Sequence, residues 1–139
     1  MRQLLKSVGV ASTVLGLVAG IHSVAAHHSA SMFDHDKIVT LNGAVKEIRW
    51  VSPHVSLLVY GATDEGGQPT DWMLEMTSPS VLSRLGWKRT SVKPGDSVQV
   101  EFNPLLDGKH GGLPRKVTLI DTGKSFGTNL REPENLDNE

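Results

Sequence analysis

The chain has 139 residues, of which 38% are hydrophobic and 21% are charged, with a formal net charge of −1 and no cysteine. This charge balance gives no electrostatic basis for binding nucleic acid, which depends on clustered basic residues. The lack of cysteine excludes disulfides, thiol catalysis, iron–sulfur clusters, zinc–cysteine sites and blue-copper thiolate sites.

The first 26 residues have the three parts of an export signal. Arg2 and Lys6 are followed by an apolar stretch from Val8 to Ile21, and the small residues of Ser23–Ala26 offer a cleavage site. The apolar stretch is shorter than the roughly 20 residues that a membrane-spanning helix needs. We therefore predict a signal peptide over residues 1–26, a periplasmic or secreted mature protein and no permanent membrane anchor.

Residues 27–38 form a histidine-rich leader that contains His27, His28 and His35. If cleavage follows Ala26, the amine and ring of His27 can chelate one metal ion, and a remote histidine would complete a histidine brace. If cleavage follows Ala25, His28 stands at position three, where imidazole, amine and amide nitrogens bind Cu(II) or Ni(II) in a square plane. The alternative is a soluble leader that binds metal only adventitiously.

The first strand of the predicted domain changes phase along its length. Val39 to Val45 alternate apolar and other residues, and Ile48 and Trp50 continue in the opposite phase. A phase slip inside one strand predicts a bulge or bend, which Gly43 would permit.

Four more strands and one helix follow. Ser78 and Pro79 predict a capped helix start, and Gly86 predicts its end. Turns are predicted at Asp64–Gly67 and Lys93–Asp96. The apolar residues of the strands are Val55, Leu57 and Val59; Trp72, Leu74 and Met76; Val98, Val100 and Phe102; and Val117 and Leu119.

Three strands, a short helix and two strands are the order of an OB-fold. We predict an all-β, OB-fold-like five-stranded barrel over residues 39–120, in which Trp72, Leu74, Val98, Val100 and Phe102 share one core. An open β-sandwich with the helix as a lid is the alternative. Residues 121–139 are polar, which predicts a disordered tail.

His54 is the internal histidine best placed to act as a ligand, because Pro53 constrains its entry into the second strand. There it would stand near the barrel mouth, where a docked amino terminus could meet it. The predicted metal ligands are therefore His27, His28 and His54, with copper as the first candidate. The alternative for His54 is a surface histidine bonded to backbone, and we expect His110 to be solvated.

Two other groups of residues suggest binding. Trp72 could serve as a stacking platform, but its alternation with Leu74 favours a core position. Met73 and Met76 fall on opposite strand faces and are expected to pack.

A basic cluster follows the helix and consists of Arg84, Lys88, Arg89 and Lys93. It could meet an anionic glycan or lipid headgroup, or simply form a solvated face.

The chain has no catalytic motif of the Gly-x-Ser-x-Gly, phosphate-loop or His-Glu-x-x-His type. The sequence makes no case for an enzyme, and a redox enzyme at the copper is the weakest of its interpretations. It predicts an exported barrel that binds a transition metal. The alternative is a non-catalytic binding module for a glycan, peptide or envelope partner protein, using the barrel face.

A series of short motifs carries a family resemblance. They are the His-His-Ser at residues 27–29, Leu41-x-Gly43-x-Val45, Trp50-x-x-Pro53-His54, Trp72, the stretch from Ser78 to Trp87, Lys93–Asp96 and Asp107–Gly108. Through them the chain resembles the bacterial secreted family catalogued as domain of unknown function 6152. The resemblance implies export and one domain, and it implies no activity. Ser52 departs from the asparagine expected before Pro-His.

Overall fold

The computed structural model describes residues 30–128. A short 3-10 helix over Ala30–Met32 precedes six strands and one α-helix. The strands are β1 (Val39–Arg49), β2 (Ser56–Thr63), β3 (Gly66–Glu75), β4 (Ser97–Pro104), β5 (Gly111–Leu119) and β6 (Ser125–Gly127), and helix α1 spans Pro79–Arg84 between β3 and β4. Within this range, neither helix has the length and apolar character needed to cross a membrane.

Strands β1 to β5 close into a barrel with the connectivity of an OB-fold. The sheet order is β3-β2-β1-β4-β5-β6, and a parallel pairing of β3 with β5 closes the ring. This closure joins Met73 to Gly111 and Leu74 to Gly112. The predicted all-β class, with one short helix and a five-stranded barrel, is confirmed.

The bend of β1 lets one strand serve both halves of the barrel. Its residues Leu41–Arg49 pair with β2, and its residues Val39–Ala44 pair with β4. A register shift between Val45 and Glu47 gives the predicted phase slip. Gly43 permits a close approach of β1 to β2, because a Cβ there would overlap the Tyr60 carbonyl oxygen.

The core lies inside the barrel and under α1. Leu74, Val98, Val100 and Phe102 are buried as predicted. Trp72 is only partly buried, and its ring meets Phe102 edge-on with 5.5 Å between the ring centroids. The remaining fully buried side chains include Leu41, Leu57, Met76, Leu82, Trp87 and Val92.

The ordered domain continues past the boundary expected at residue 120. Strand β6 pairs with β5, and Phe126 is buried against Trp87 with 4.8 Å between the ring centroids. The indole Nε1 of Trp87 also donates to the Gly127 carbonyl at 2.7 Å. The predicted tail boundary at residue 120 is therefore too early, because the Phe126 ring and the Gly127 carbonyl both contact Trp87, which follows α1. Residues 129–139 lie outside the described range.

The leader is attached to the barrel from its first described residues. Met32 accepts a backbone hydrogen bond from Leu106 at 3.0 Å, and Asp34 donates one to Pro104 at 2.9 Å. Phe33 forms an isolated antiparallel bridge with Leu105. The leader thus runs along the β4–β5 connection before it enters β1. The predicted signal peptide, His27 and His28 lie outside the described residues.

Candidate functional site

Three chain segments lie at the end of the barrel where β3 finishes, and we call this region the rim. They are the β1–β2 loop (residues 50–55), the β4–β5 loop (residues 105–110) and the leader at residues 30–34. Backbone hydrogen bonds link β3 to the β4–β5 loop and that loop to the leader: Met73 donates to His110 at 3.1 Å, and Leu106 donates to Met32 at 3.0 Å. The β1–β2 loop reaches the same end because β2 begins at Ser56, which pairs with Glu75 at the end of β3. The start of the described chain and the β1–β2 loop therefore lie at the same end of the barrel.

His54 is held in the rim by a carboxylate. Its Nδ1 lies 2.7 Å from Oε1 of Glu75, and the two side chains are about one third exposed, at 38% and 33%. The backbone beside it is fixed, because Val55 donates to Thr77 at 3.1 Å and accepts from Met76 at 2.7 Å. When Nδ1 donates to the carboxylate, the neutral ring carries its lone pair on Nε2, which is the form that binds a metal.

The other described histidines are placed differently. The ring of His110 lies against Trp72, with 4.8 Å between the centroids and 41° between the planes. His35 is exposed and meets Phe33 edge-on at 6.5 Å. Within residues 30–128 there is no group of three or more histidine, aspartate or glutamate side chains that could hold a metal ion. A complete metal site that uses His54 therefore needs ligands from outside this range.

Glu75 was missed by the sequence reasoning, although strand alternation offered a signal for it. Glu75 and Met73 flank the buried Leu74 and so share the outer face of β3. Met73 is 49% exposed and Met76 is 1% exposed, so the two methionines lie on opposite faces as predicted. Met76 packs in the core, but the expectation that Met73 packs is wrong. Alternation gives the face of Glu75, but it cannot indicate that the β1–β2 loop folds back to place His54 there.

A recess on the outer face of β1–β3 has a volume of about 10 Å³ and is lined by Glu47, Arg49, Ser56, Leu58 and Met73. The flanking charges are paired, since Arg49 Nε lies 2.6 Å from Glu47 and Lys46 Nζ lies 2.8 Å from Asp71. A recess of this size holds about one water molecule and offers no pocket for a ligand.

The basic cluster that follows α1 does not act as one unit. Lys93 Nζ lies 2.8 Å from Asp96. This hydrogen bond raises the pKa of Lys93 and lowers the pKa of Asp96. Arg84 instead donates from Nε to the Ser80 carbonyl at 3.3 Å. Lys88 lies in a cleft with Lys124, a residue that is distant in sequence.

The family model described as "Family of unknown function (DUF6152)" matches residues 15–116, which is most of the chain. The chain belongs to this family. The match includes His27, His28, His54 and Glu75, together with β1 to β4 and α1. No curated protein and no solved structure matches this DUF6152 chain.

Proposed function

We propose that this DUF6152 protein is an exported copper-binding protein whose metal site lies at the rim. In this proposal the mature chain begins at His27, which supplies its amine and ring nitrogen to Cu(II). His54 supplies a third nitrogen, and His28 stands beside them as a further imidazole. Nitrogen-rich sites of this kind favour copper by geometry and by the Irving–Williams order.

The observation that carries the proposal is the hydrogen bond between His54 and Glu75. A histidine that binds a metal usually donates its other ring N–H to a carboxylate or carbonyl, which fixes the tautomer and raises the basicity of the ligand. At 2.7 Å the Glu75 carboxylate is placed to do this for His54.

The path of the leader supports the same site. Three strand spacings of about 4.8 Å, or roughly 14 Å, separate the leader at Met32 from β3. The segment from His27 to Ala30 can span up to roughly 10 Å when extended, and the 3-10 helix over Ala30–Met32 adds roughly 4 Å. This span matches the distance from Met32 to β3, so His27 can reach a side chain on the outer face of β3.

Titration of the mature protein with Cu(II) in the presence of a competing chelator tests the role of each side chain. We expect His54→Ala to weaken binding more than tenfold. We expect Glu75→Gln to weaken it by about 10- to 100-fold, as is usual for an orienting partner. The matched control is His110→Ala, which removes a histidine of the same rim whose ring packs on Trp72. Equal losses in the three variants, or no loss in His54→Ala, would refute the proposal.

The alternative, a binding module that uses the β1–β3 face, has less support. That face offers a recess of only about 10 Å³, and the charges beside it are paired with each other. Ligand pockets generally have volumes of about 300–1,000 Å³. We therefore place the proposed function at the rim.

A further inference from the structure

A cleft lies on other elements, between the segment that follows α1 and the β5–β6 hairpin. Its volume is about 320 Å³, at the lower end of the range for small-ligand pockets. It is lined by Gly86, Lys88, Thr90, Ser91, Leu119, Thr122, Lys124 and Phe126. A cleft of this size fits a ligand of monosaccharide dimensions.

The lining of the cleft carries two positive charges, on Lys88 and Lys124. Neither Lys88 nor Lys124 takes part in an ion pair within residues 30–128. None of the described side chains that line the cleft is a carboxylate. The Nζ of Lys124 lies 4.9 Å from the centroid of the Phe126 ring, and this cation–π contact holds the ammonium at the wall of the cleft. Two cations therefore face one cavity from different parts of the chain.

Hydroxyl groups add hydrogen-bond donors. Ser91 Oγ accepts from the Lys88 backbone N–H at 2.8 Å, and Thr122 Oγ1 accepts from the Lys124 backbone N–H at 3.3 Å. A hydroxyl that accepts a backbone hydrogen bond still has its own proton to donate. The same two bonds tie each lysine to a hydroxyl-bearing neighbour, so charge and donors are positioned together.

The walls of the cleft are fixed before any ligand binds. Leu119 donates to Lys124 and accepts from Gly123, both at 2.8 Å, which closes the β5–β6 hairpin. The stacking of Phe126 on Trp87 joins this hairpin to the segment after α1. A preformed site loses less conformational freedom on binding, so moderate contacts can give measurable affinity.

We propose that this cleft binds a phosphate monoester of sugar size. The phosphate would lie between Lys88 and Lys124, with the hydroxyls of Ser91 and Thr122 donating to its oxygens and the carbon skeleton against Leu119. Lysine binds phosphate as a point charge, and a dianion makes use of both ammonium groups. The ester is either a free sugar phosphate or the headgroup of a lipid. This inference does not depend on the proposed copper site.

Nuclear magnetic resonance titration of the full mature protein with glucose 6-phosphate tests the proposal, with glucose and inorganic phosphate as comparison probes. Amide shifts should saturate and centre on Thr90, Ser91 and Thr122. Glucose should cause no such shifts, and inorganic phosphate should cause weaker ones. The double variant Lys88→Gln, Lys124→Gln should weaken binding at least tenfold. The matched control Lys46→Gln, Lys109→Gln removes the same charge elsewhere and should change affinity less than twofold.

A flotation assay with phosphatidylcholine vesicles, with and without phosphatidic acid, separates the two sources of the ester. Binding that needs phosphatidic acid and is lost in the Lys88, Lys124 double variant assigns a lipid headgroup. Saturable binding of glucose 6-phosphate without vesicle binding assigns a free sugar phosphate. The absence of both, or an equal loss in the control variant, would overturn the proposal.

Discussion

Phe102 is one of the two largest fully buried side chains of the core. It has no exposed surface, packs against Trp72, and lies so close to β5 that a Cβ at Gly112 would overlap its ring. We expect Phe102→Ala to lower the free energy of unfolding by about 3–5 kcal/mol, because it removes a large buried ring and leaves a cavity.

Denaturant unfolding of Phe102→Ala measures this loss. Ile120→Ala is the control, since Ile120 is 53% exposed and should cost no more than about 0.5 kcal/mol. Similar losses in the two variants would mean that Phe102 does not occupy the core.

Gly43 allows β1 and β2 to approach closely, and it gives a second prediction. In Gly43→Ala the new methyl group would meet the Tyr60 carbonyl, which is backbone and cannot move aside. We expect a loss of about 3 kcal/mol or more, at the upper end of overpacking costs. In the control Gly127→Ala the methyl group meets nothing within 4 Å. Thermal unfolding should separate the two variants, and equal melting temperatures would contradict the close approach.

Asp96 links stability to pH in the turn before β4. Its carboxylate accepts hydrogen bonds from Nζ and the backbone N–H of Lys93, at 2.8 and 2.9 Å. The hydrogen bond from Nζ lowers the pKa of Asp96 below its ordinary value of 3.8. Since the folded pKa is the lower one, the stabilisation is present above about pH 3.8 and is lost as the pH falls through the folded pKa.

Melting temperatures of the wild type and Asp96→Asn, measured from pH 7 to pH 2, check this linkage. The wild type should be the more stable protein at neutral pH, and the difference should shrink below pH 4. A difference that stays constant over this range would show that the carboxylate charge has no role.

At the scale of elements, β6 is the strand that extends the domain beyond the boundary predicted at residue 120. Deletion of residues 125–139 should destabilise the protein by several kcal/mol, because it removes the buried Phe126 and uncovers Trp87. Deletion of residues 129–139 alone should leave the melting temperature nearly unchanged. Equal melting temperatures for the two truncations would show that β6 does not stabilise the barrel.

Most elements could be predicted because their signals are local. Ser78 caps α1 by accepting from the Val81 N–H, and Pro79 occupies its first turn, as the sequence indicates. Alternation likewise locates β1 to β5, and the phase slip locates the bulge in β1. Strand β6 has three residues and one apolar side chain, whose partner Trp87 is far away in sequence, so no local pattern indicates it.

The side chains of the proposed sites also differ in whether local sequence signals could predict them. His54 could be chosen from sequence because Pro53 and the following strand mark its position. Glu75 and the Lys88–Lys124 cleft depend on which loops and hairpins come together, and this is set by barrel closure rather than by any segment alone. Lys93 lies near Lys88 in the sequence, but its ammonium group is paired with Asp96. Closeness in sequence therefore does not indicate which lysines share the cleft.

At the scale of the whole molecule, the two proposed sites lie on different elements. The rim holds His54 and Glu75 near the end of β3 and the leader beside the β4–β5 loop, whereas the cleft lies between the segment after α1 and the β5–β6 hairpin. The variants of one site leave the side chains of the other unchanged. We therefore expect Lys88→Gln to leave Cu(II) affinity within twofold of the wild type, which the same chelator competition measures.

Native mass spectrometry of the protein recovered after export tests the copper proposal most directly, because it reports the amino terminus and the bound metal together. We predict a chain that begins at His27 and retains one copper ion, and a His54→Ala variant with the same amino terminus and no retained copper. Acidification should weaken retention of the ion, since protons compete for the histidine nitrogens. A mature chain that begins after Ala30, or equal copper retention in His54→Ala, would contradict the account.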